Sequence, residues 1–325
     1  MIGKKIKKGD VGRFLSSLAG EYTVIGPVKH GSVFMFAEID DEHPPVLDYP
    51  RTVLPVKKYL HPPRETMFEF RKGEFREMLP ESRLAFFGLH ICDINAIVRL
   101  DMAMASDPYY SARRGGMLIM GVECKPSEEC FCKSMNADRL PHGVCDLFFR
   151  EEGDGYIVYA GTEKGRKLLG SPLFHATDLA VTGISAECEE KKPLDYEKVW
   201  RSFARNHTNP LWDEMARLCL GCTNCTTVCP LCYCYDVADT SEVVPENSRR
   251  ERFWDSCTLL NFATVAGGHK FRPNIKDRFR NIYTHKFKSF VDEFGLPACV
   301  GCGRCIVYCP AGINMRANLE KLEVG

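Results

Sequence analysis

The sequence carries no excess charge of either sign. Its 325 residues include 43 lysines and arginines and 43 aspartates and glutamates, so its formal net charge is zero. Long-range attraction to nucleic acid or to anionic lipid requires a surplus of basic residues. We therefore expect no nucleic-acid partner, and we interpret local basic runs such as Arg249-Arg250 as solvated surface.

The sequence also lacks long apolar runs. No stretch reaches the length of a membrane-spanning helix. The N-terminal residues 1–5, which end in two lysines, are not followed by the apolar segment of a signal peptide. We therefore expect no membrane span and a cytoplasmic protein. With 45% apolar and 26% charged residues, the chain has the composition of a globular protein with room for two domains.

Several motifs of nucleotide-binding proteins and hydrolases are absent as well. The chain contains no Walker loop, no complete G-x-G-x-x-G fingerprint, no H-E-x-x-H and no G-x-S-x-G. Independent binding of a nucleotide or flavin is therefore unsupported. We expect isolated histidines such as His90, His142 and His269 to be ordinary core or surface residues.

Cysteine, in contrast, is abundant, and eight of the 17 cysteines form one pattern that occurs twice. The pattern, C-x2-C-x2-C-x3-C-P, is that of bacterial ferredoxins, in which the fourth cysteine of each run binds the other cluster. We therefore assign cluster 1 to Cys219, Cys222, Cys225 and Cys309, and cluster 2 to Cys299, Cys302, Cys305 and Cys229. Structural zinc is the alternative, but it usually takes paired C-x-x-C elements with four ligands per ion.

The number of cysteines also bears on the cellular environment. In a reducing cytosol, metal ligation explains 17 cysteines better than disulfides do, and the odd total leaves at least one unpaired. We expect an oxygen-poor, anaerobic cell.

The first part of the chain has the pattern of a mixed α/β domain. Short apolar runs at 33–36, 84–87, 117–120 and 156–159 predict buried strands, and the spacing of apolar residues over 93–104 predicts a helix. The charged, proline-containing run 189–193 marks the expected boundary, which gives domains 1–192 and 193–325.

The second part is expected to be mainly α-helical. Apolar residues recur at helical intervals near Trp200 and Leu211, and about seventy residues separate Cys229 from Cys299, more than in a compact ferredoxin. We interpret Phe253, Leu259, Phe262 and Val265 within that insertion as one face of a helix. The predicted fold class is therefore α+β, with a mixed α/β N-terminal domain and a helical ferredoxin-type domain for two 4Fe-4S clusters.

A second group of cysteines lies in the N-terminal half. Cys92 and Cys124 each follow an apolar run, and these loops meet at one edge of a sheet if the two strands are parallel. With Cys130 and Cys132 they would supply four thiolates for a third iron-sulfur cluster. The alternative is that these four are buried small apolar residues, a common role of free cysteine.

Five cysteines remain outside these groups. We expect Cys145 and Cys188 to be ordinary residues and Cys257 to pack in the helical core. Cys232 and Cys234 directly follow the first motif, so we expect them to donate S–H groups to a cluster sulfur and adjust its potential.

Taken together, several segments of the chain resemble the iron-sulfur β subunit of sulfhydrogenases and the corresponding iron-sulfur subunit of anaerobic sulfite reductases. The segments span both halves and cover residues 87–97, 107–110, 113–114, 130–132, 229–234 and 299–305. The family usually has proline where Ile91 stands. This departure bears on the geometry of the turn and leaves Cys92 and Asp93 in place.

The resemblance implies a component of a multisubunit oxidoreductase. Such chains relay electrons between a partner that binds FAD and NAD(P) and a catalytic subunit of hydrogenase, sulfur, sulfite or disulfide reductase type, or another iron-sulfur protein. It also favours a third cluster at Cys92, Cys124, Cys130 and Cys132. Two other functions stay open: direct reduction of a sulfur compound at that N-terminal site, and a zinc-bearing scaffold.

Overall fold

The computed structural model describes residues 2–40, 42–81, 83–180, 183–190, 192–241 and 247–324. Lys191, in the expected boundary run, lies outside them. The described strands are β1 Ile2–Lys7, β2 Thr23–His30, β3 Val33–Glu38, β4 Arg64–Arg71, β5 Glu74–Glu77, β6 Leu84–Leu89, β7 Leu118–Val122, β8 Leu147–Glu152, β9 Gly155–Ala160, β10 His175–Ala180, β11 Tyr235–Ser241 and β12 Asn247–Trp254.

The helices alternate with these strands in the first half and dominate the second. In the described part of the chain they are α1 Lys8–Leu18, α2 Lys57–Leu60, α3 Ile91–Ala103, α4 Pro108–Gly115, α5 Glu163–Leu168, α6 Tyr196–Ser202, α7 Leu211–Leu218, α8 Asn224–Thr227, α9 Ile275–Thr284, α10 Phe290–Phe294, α11 Arg304–Val307 and α12 Met315–Val324. A π-helical turn, His285–Ser289, joins α9 to α10.

The N-terminal half is organised around an eight-stranded sheet with the order β10-β1-β9-β8-β7-β6-β2-β3. Its central strands β2, β6, β7 and β8 are parallel. Strands β6 and β7 are continuous apolar runs that are almost entirely buried, as parallel strands covered on both faces require. The four predicted strands and the predicted helix are confirmed, although β3 is only partly buried.

A second sheet, with the order β11-β12-β4-β5, joins strands from both sides of the expected boundary. The helix expected around Phe253 is wrong, because Phe253 lies in β12 and pairs with Arg64 of β4. The buried residues of β12 include Arg252, which is ion-paired with Glu65 and Asp107. A buried charged residue hides the alternation by which a strand is recognised.

The hydrophobic core is also shared between the two halves. One continuous cluster of buried side chains contains Ile94 and Ile97 of α3 together with Trp212 of α7, Tyr283 of α9 and Leu319 of α12. The C-terminal helices therefore pack against the face of the large sheet that α3 covers. A separate cluster around α1 covers the other face.

Candidate metal centres

The cluster-1 site consists of Cys219, Cys222, Cys225 and Cys309. All four thiols line one cavity of about 540 Å³, which is partly open to solvent. Cys305 lines the same cavity, and the rest of the wall is largely apolar. Burial raises the pKa of Cys225 to about 12, whereas Cys222 is exposed.

The cluster-2 site consists of Cys229, Cys299, Cys302 and Cys305. Burial, followed by the neighbouring thiols of Cys299, Cys302, Cys229 and Cys225, raises the pKa of Cys305 well above its ordinary value. Thiols of both motifs therefore surround Cys305, and the division of the ligands between the two clusters stays a prediction.

Backbone N–H groups point at the sulfur atoms of both sites. Leu231 N lies 3.4 Å from Cys229 Sγ, Gly301 N lies 3.4 Å from Cys299 Sγ, and Ile313 N lies 3.3 Å from Cys309 Sγ. Such donors stabilise thiolates and tune the potential of the clusters that thiolates bind. The donor set therefore fits 4Fe-4S clusters.

Two further thiol pairs lie beside the cluster-2 site. Cys232 donates a hydrogen bond to Cys229 and lowers its pKa, an effect to which Lys286 and Lys57 add. Cys234 donates to Cys257. The expected contacts of Cys232 and Cys234 with a cluster sulfur stay predictions. Cys257 is buried in the core, but in a turn rather than a helix.

The N-terminal site consists of Cys92, Cys124, Cys130 and Cys132, which line one cavity of about 410 Å³. Because β6 and β7 are parallel, the loops after them emerge at the same edge of the sheet. Cys92 lies at the start of α3, directly after β6, and Cys124 follows β7. Cys302 of the second motif lines the same cavity.

Three buried side-chain nitrogens in the wall of this cavity have no hydrogen-bond partner among the described residues. They are Nη1 of Arg51, Nε2 of His90 and Nη1 of Arg304, and the last is in ion-pair contact with Asp93. Burial lowers the pKa of His90 to about 4, so its ring is neutral at pH 7. Buried donors require acceptors. An anionic cluster with sulfide atoms would supply them, so the residues of this site fit an iron-sulfur group.

A fifth thiol, Cys188, adjoins the N-terminal site, and its expected role as an ordinary residue stays a prediction. Cys188 is hydrogen-bonded to Cys132, which lowers the pKa of Cys188 to about 7. Two backbone hydrogen bonds bring it there, from Leu140 N to Ile184 O and from Ala186 N to Asp138 O. Cys188 and Cys132 are distant in the sequence, so the spacing of neighbouring residues does not predict their contact. The only signal in the sequence is its large number of cysteines.

Glycines of the second motif allow the cluster-2 and N-terminal sites to adjoin. Gly301 has φ +63°, and a Cβ there would lie 2.3 Å from Phe131 O. Phe131 N donates to Gly301 O at 2.7 Å. Only glycine permits this approach of the two backbones. The C-x-G-C-G-R-C pattern therefore places Cys302 beside the loop that carries Cys130 and Cys132.

A buried ion pair joins the start of α3, which carries Cys92, to α11, which carries Cys305. Asp93, next to Cys92, lies 2.9 Å from Arg304, next to Cys305, and both side chains are 1% exposed. Arg304 also donates to Thr52 O at 2.9 Å. The cost of burying each charge is offset by its attraction to the opposite charge and by the hydrogen bonds between them.

We expect Asp93→Leu to lower the free energy of unfolding by about 3–5 kcal/mol, since it leaves the Arg304 guanidinium buried without its partner. Anaerobic denaturant titration measures the change. The exposed pair Arg83–Glu21 provides the control, because Glu21→Gln should cost at most about 1 kcal/mol. Equal losses in the two variants would contradict the proposed role of the buried pair.

The described residues contain no group of three or more His, Cys, Asp or Glu side chains that is close enough to hold a single metal ion. They also contain no helix long and apolar enough to span a membrane.

Residues 218–313, which contain both cysteine motifs, match the family model of the 4Fe-4S dicluster domain. The chain is therefore a dicluster iron-sulfur protein, which implies two 4Fe-4S clusters and a role in electron transfer. It is also 39% identical to sulfhydrogenase 2 subunit beta from Pyrococcus furiosus, over 96% of each chain. The chain thus belongs to the family of sulfhydrogenase β subunits. No solved structure matches it.

Proposed function

We propose that this chain relays electrons through three iron-sulfur clusters between a partner that binds flavin and NAD(P) and a catalytic oxidoreductase subunit. One observation carries the proposal: the three sites adjoin through shared cysteines. Cys305 belongs to the cluster-2 site and lines the cluster-1 cavity, and Cys302 belongs to the cluster-2 site and lines the N-terminal cavity.

The residues proposed to hold the clusters are those of the cluster-1, cluster-2 and N-terminal sites. When bound, the clusters supply one-electron transfer. The chain's own contribution is to exclude water and to provide sulfur ligands. Burial raises the pKa of Cys124, Cys225 and Cys299 to about 12 each. These thiols must lose protons to bind metal, so cluster assembly is favoured as pH rises.

The surface around the cluster-1 site is the proposed docking face for a redox partner. Leu220, which is 70% exposed, lines the cluster-1 cavity together with the exposed Cys222. Thr258 lines the same cavity and leads into the loop that carries Phe271, which is 60% exposed. We use the name apolar face for the exposed apolar side chains in the segments that contribute to this cavity or follow them in the chain, namely Leu218, Leu220, Leu259, Leu260, Val265, Phe271 and Val307.

The charge around the apolar face indicates the kind of partner. Residues 256–276 include Lys270, Arg272 and Lys276 but no aspartate or glutamate, and Lys276 is paired with Asp213. The loop that carries Phe271 thus adds positive charge to the apolar face. We infer that it binds a protein subunit whose flavin or iron-sulfur centre is surrounded by acidic residues, since complementary charge favours docking in one orientation.

We expect Leu220→Glu combined with Phe271→Glu to raise the dissociation constant for this partner at least tenfold, about 1.4 kcal/mol, because two carboxylates would be buried in the interface. The measurement is sedimentation of the purified complex over a dilution series. The control is Phe75→Glu, an equally exposed aromatic on β5 of the second sheet, whose side chain is 63% exposed. The same weakening in the control would contradict the assignment.

Reduction of the isolated chain tests the relay itself. Dithionite should reduce the anaerobically purified chain, whereas NADH should reduce it only when the flavoprotein partner is added, since no flavin or dinucleotide fingerprint is present. Reduction of the isolated chain by NADH would show that the proposed division of labour is wrong.

One observation favours the alternative, direct reduction of a sulfur compound at the N-terminal site. Cys124 also lines a cleft of about 1190 Å³ that is open to solvent. However, the cations of this cleft are ion-paired, Arg150 with Glu123, Lys125 with Asp48 and Lys8 with Glu151. An anionic substrate would compete with these carboxylates. A spectral change when sulfite or polysulfide is added to the isolated chain would favour catalysis.

A further inference from the structure

Lys286 places a buried positive charge directly on the cluster-2 site. Its side chain is 5% exposed, in the π-helical turn His285–Ser289. Its Nζ lies 3.1 Å from Cys229 Sγ and 3.0 Å from Ala298 O, the carbonyl next to Cys299. A thiolate that binds metal can only accept, so the ammonium group donates this N–H···S hydrogen bond.

Lys57 adds a second buried ammonium on the same side. Its side chain is 2% exposed, and its Nζ lies 2.8 Å from Cys232 O and 3.9 Å from the centre of the Trp254 ring. Across the described residues, no carboxylate forms an ion pair with either lysine. Buried charges are normally paired. The thiolates at the cluster-2 site are thus the nearest counter-charge.

Of the two lysines, Lys286 lies closer to the cluster-2 site, because its Nζ contacts the sulfur of Cys229, whereas Lys57 Nζ contacts the carbonyl oxygens of Thr226 and Cys232. Lys286 is therefore the residue to change first.

Among the described residues, the arginines at the other two sites are ion-paired or partly exposed. At the N-terminal site, Arg51 is paired with Glu129 at 2.7 Å and Arg304 with Asp93 at 2.9 Å. Near the cluster-1 site, Arg278 is only partly buried and donates to the carbonyls of Thr258 and Pro273. Its charge is screened by water, whereas a buried charge is screened much less.

We propose that Lys286, assisted by Lys57, gives the cluster-2 site the highest reduction potential of the three. An iron-sulfur cluster held by four thiolates becomes more negative when it gains an electron, and a nearby buried cation therefore stabilises its reduced form. The middle site then accepts the first electron and holds it between the two outer sites. This inference rests on the proposed relay and adds the order of potentials.

The test is a redox titration of the full chain with anaerobically assembled clusters, followed by electron paramagnetic resonance. In Lys286→Met, the signal that appears first in the wild type should shift to lower potential. The equilibrium constant for moving one electron from an outer site to the middle site should fall at least tenfold, about 59 mV. Lys286→Arg, which keeps the positive charge, should keep the midpoint potential close to that of the wild type.

Lys288→Met is the matched control. Lys288 lies two residues further along the same turn and pairs with the exposed Asp292, and its replacement should move none of the three midpoints. Iron and sulfide contents distinguish failure of the proposed relay from failure of the proposed order of potentials. Few clusters in the wild type would contradict the relay, whereas full clusters with an unchanged midpoint in Lys286→Met would overturn the inference alone.

A second variant, Lys57→Met, tests the proposal if Lys286→Met loses its cluster. Lys57 donates to the backbone carbonyls of Thr226 and Cys232 and touches no ligand sulfur. Lys57→Met should therefore keep its iron and lower the same midpoint. If its midpoint matches that of the wild type, the proposal is wrong.

Discussion

Replacing Cys229 with serine should remove about four iron atoms per chain and abolish the spectroscopic signal of the second motif's cluster, although Cys229 belongs to the first motif. The reason is the crosswise assignment, in which the last cysteine of each run binds the other cluster. The structure places Cys229 among the neighbours of Cys299 and Cys305. In the proposed relay this site lies between the other two, so electron transfer through the complex should stop.

The comparison variants make this prediction specific. Cys299→Ser should lose the same signal as Cys229→Ser, whereas Cys219→Ser should lose a different one. Cys145→Ser is the control, because Cys145 is buried away from the three sites and contacts Leu147 O at 3.0 Å. If Cys229→Ser and Cys219→Ser lose the same signal, each motif holds its own cluster and the crosswise assignment is wrong.

The second large effect is expected at the N-terminal site. Replacing Cys130 and Cys132 together with serine should remove about four iron atoms and leave the two C-terminal signals unchanged, since half of the proposed ligands of one cluster would be lost. Iron and acid-labile sulfide analysis, combined with electron paramagnetic resonance, measures both outcomes. Unchanged iron content would mean that these cysteines are packing residues.

Cys188 provides the matched control for that variant. It is hydrogen-bonded to Cys132 but is not among the four proposed ligands, so Cys188→Ser should retain its iron. Loss of about four iron atoms from Cys188→Ser, with retention in Cys132→Ser, would exchange the roles of these two cysteines.

The parts of the site that local spacing encodes were predictable from the sequence. The two ferredoxin motifs locate eight cysteines within short runs, and the cluster-1 cavity brings together five of them, the four assigned to it and Cys305. The assignment of ligands to each cluster stays a prediction. Cys92 and Cys124 were predicted to meet if the apolar strands before them are parallel, and β6 and β7 are parallel.

The parts that depend on distant contacts were not predictable. Arg252 is buried in β12 only because Glu65 and Asp107, more than a hundred residues earlier, neutralise it. Cys188 reaches Cys132 through pairing of two irregular segments. Lys57 and Lys286 meet at the cluster-2 site from opposite halves of the chain. In each case a buried polar group is stabilised by a partner that its neighbouring sequence does not reveal.

The measurement that most directly tests the three-cluster relay is the content of iron and acid-labile sulfide per chain in anaerobically purified protein, with zinc determined in parallel. The account predicts about twelve iron and about twelve sulfide, four of each for every cluster. About eight of each would confine electron transfer to the C-terminal pair, and zinc in place of iron would contradict the redox function.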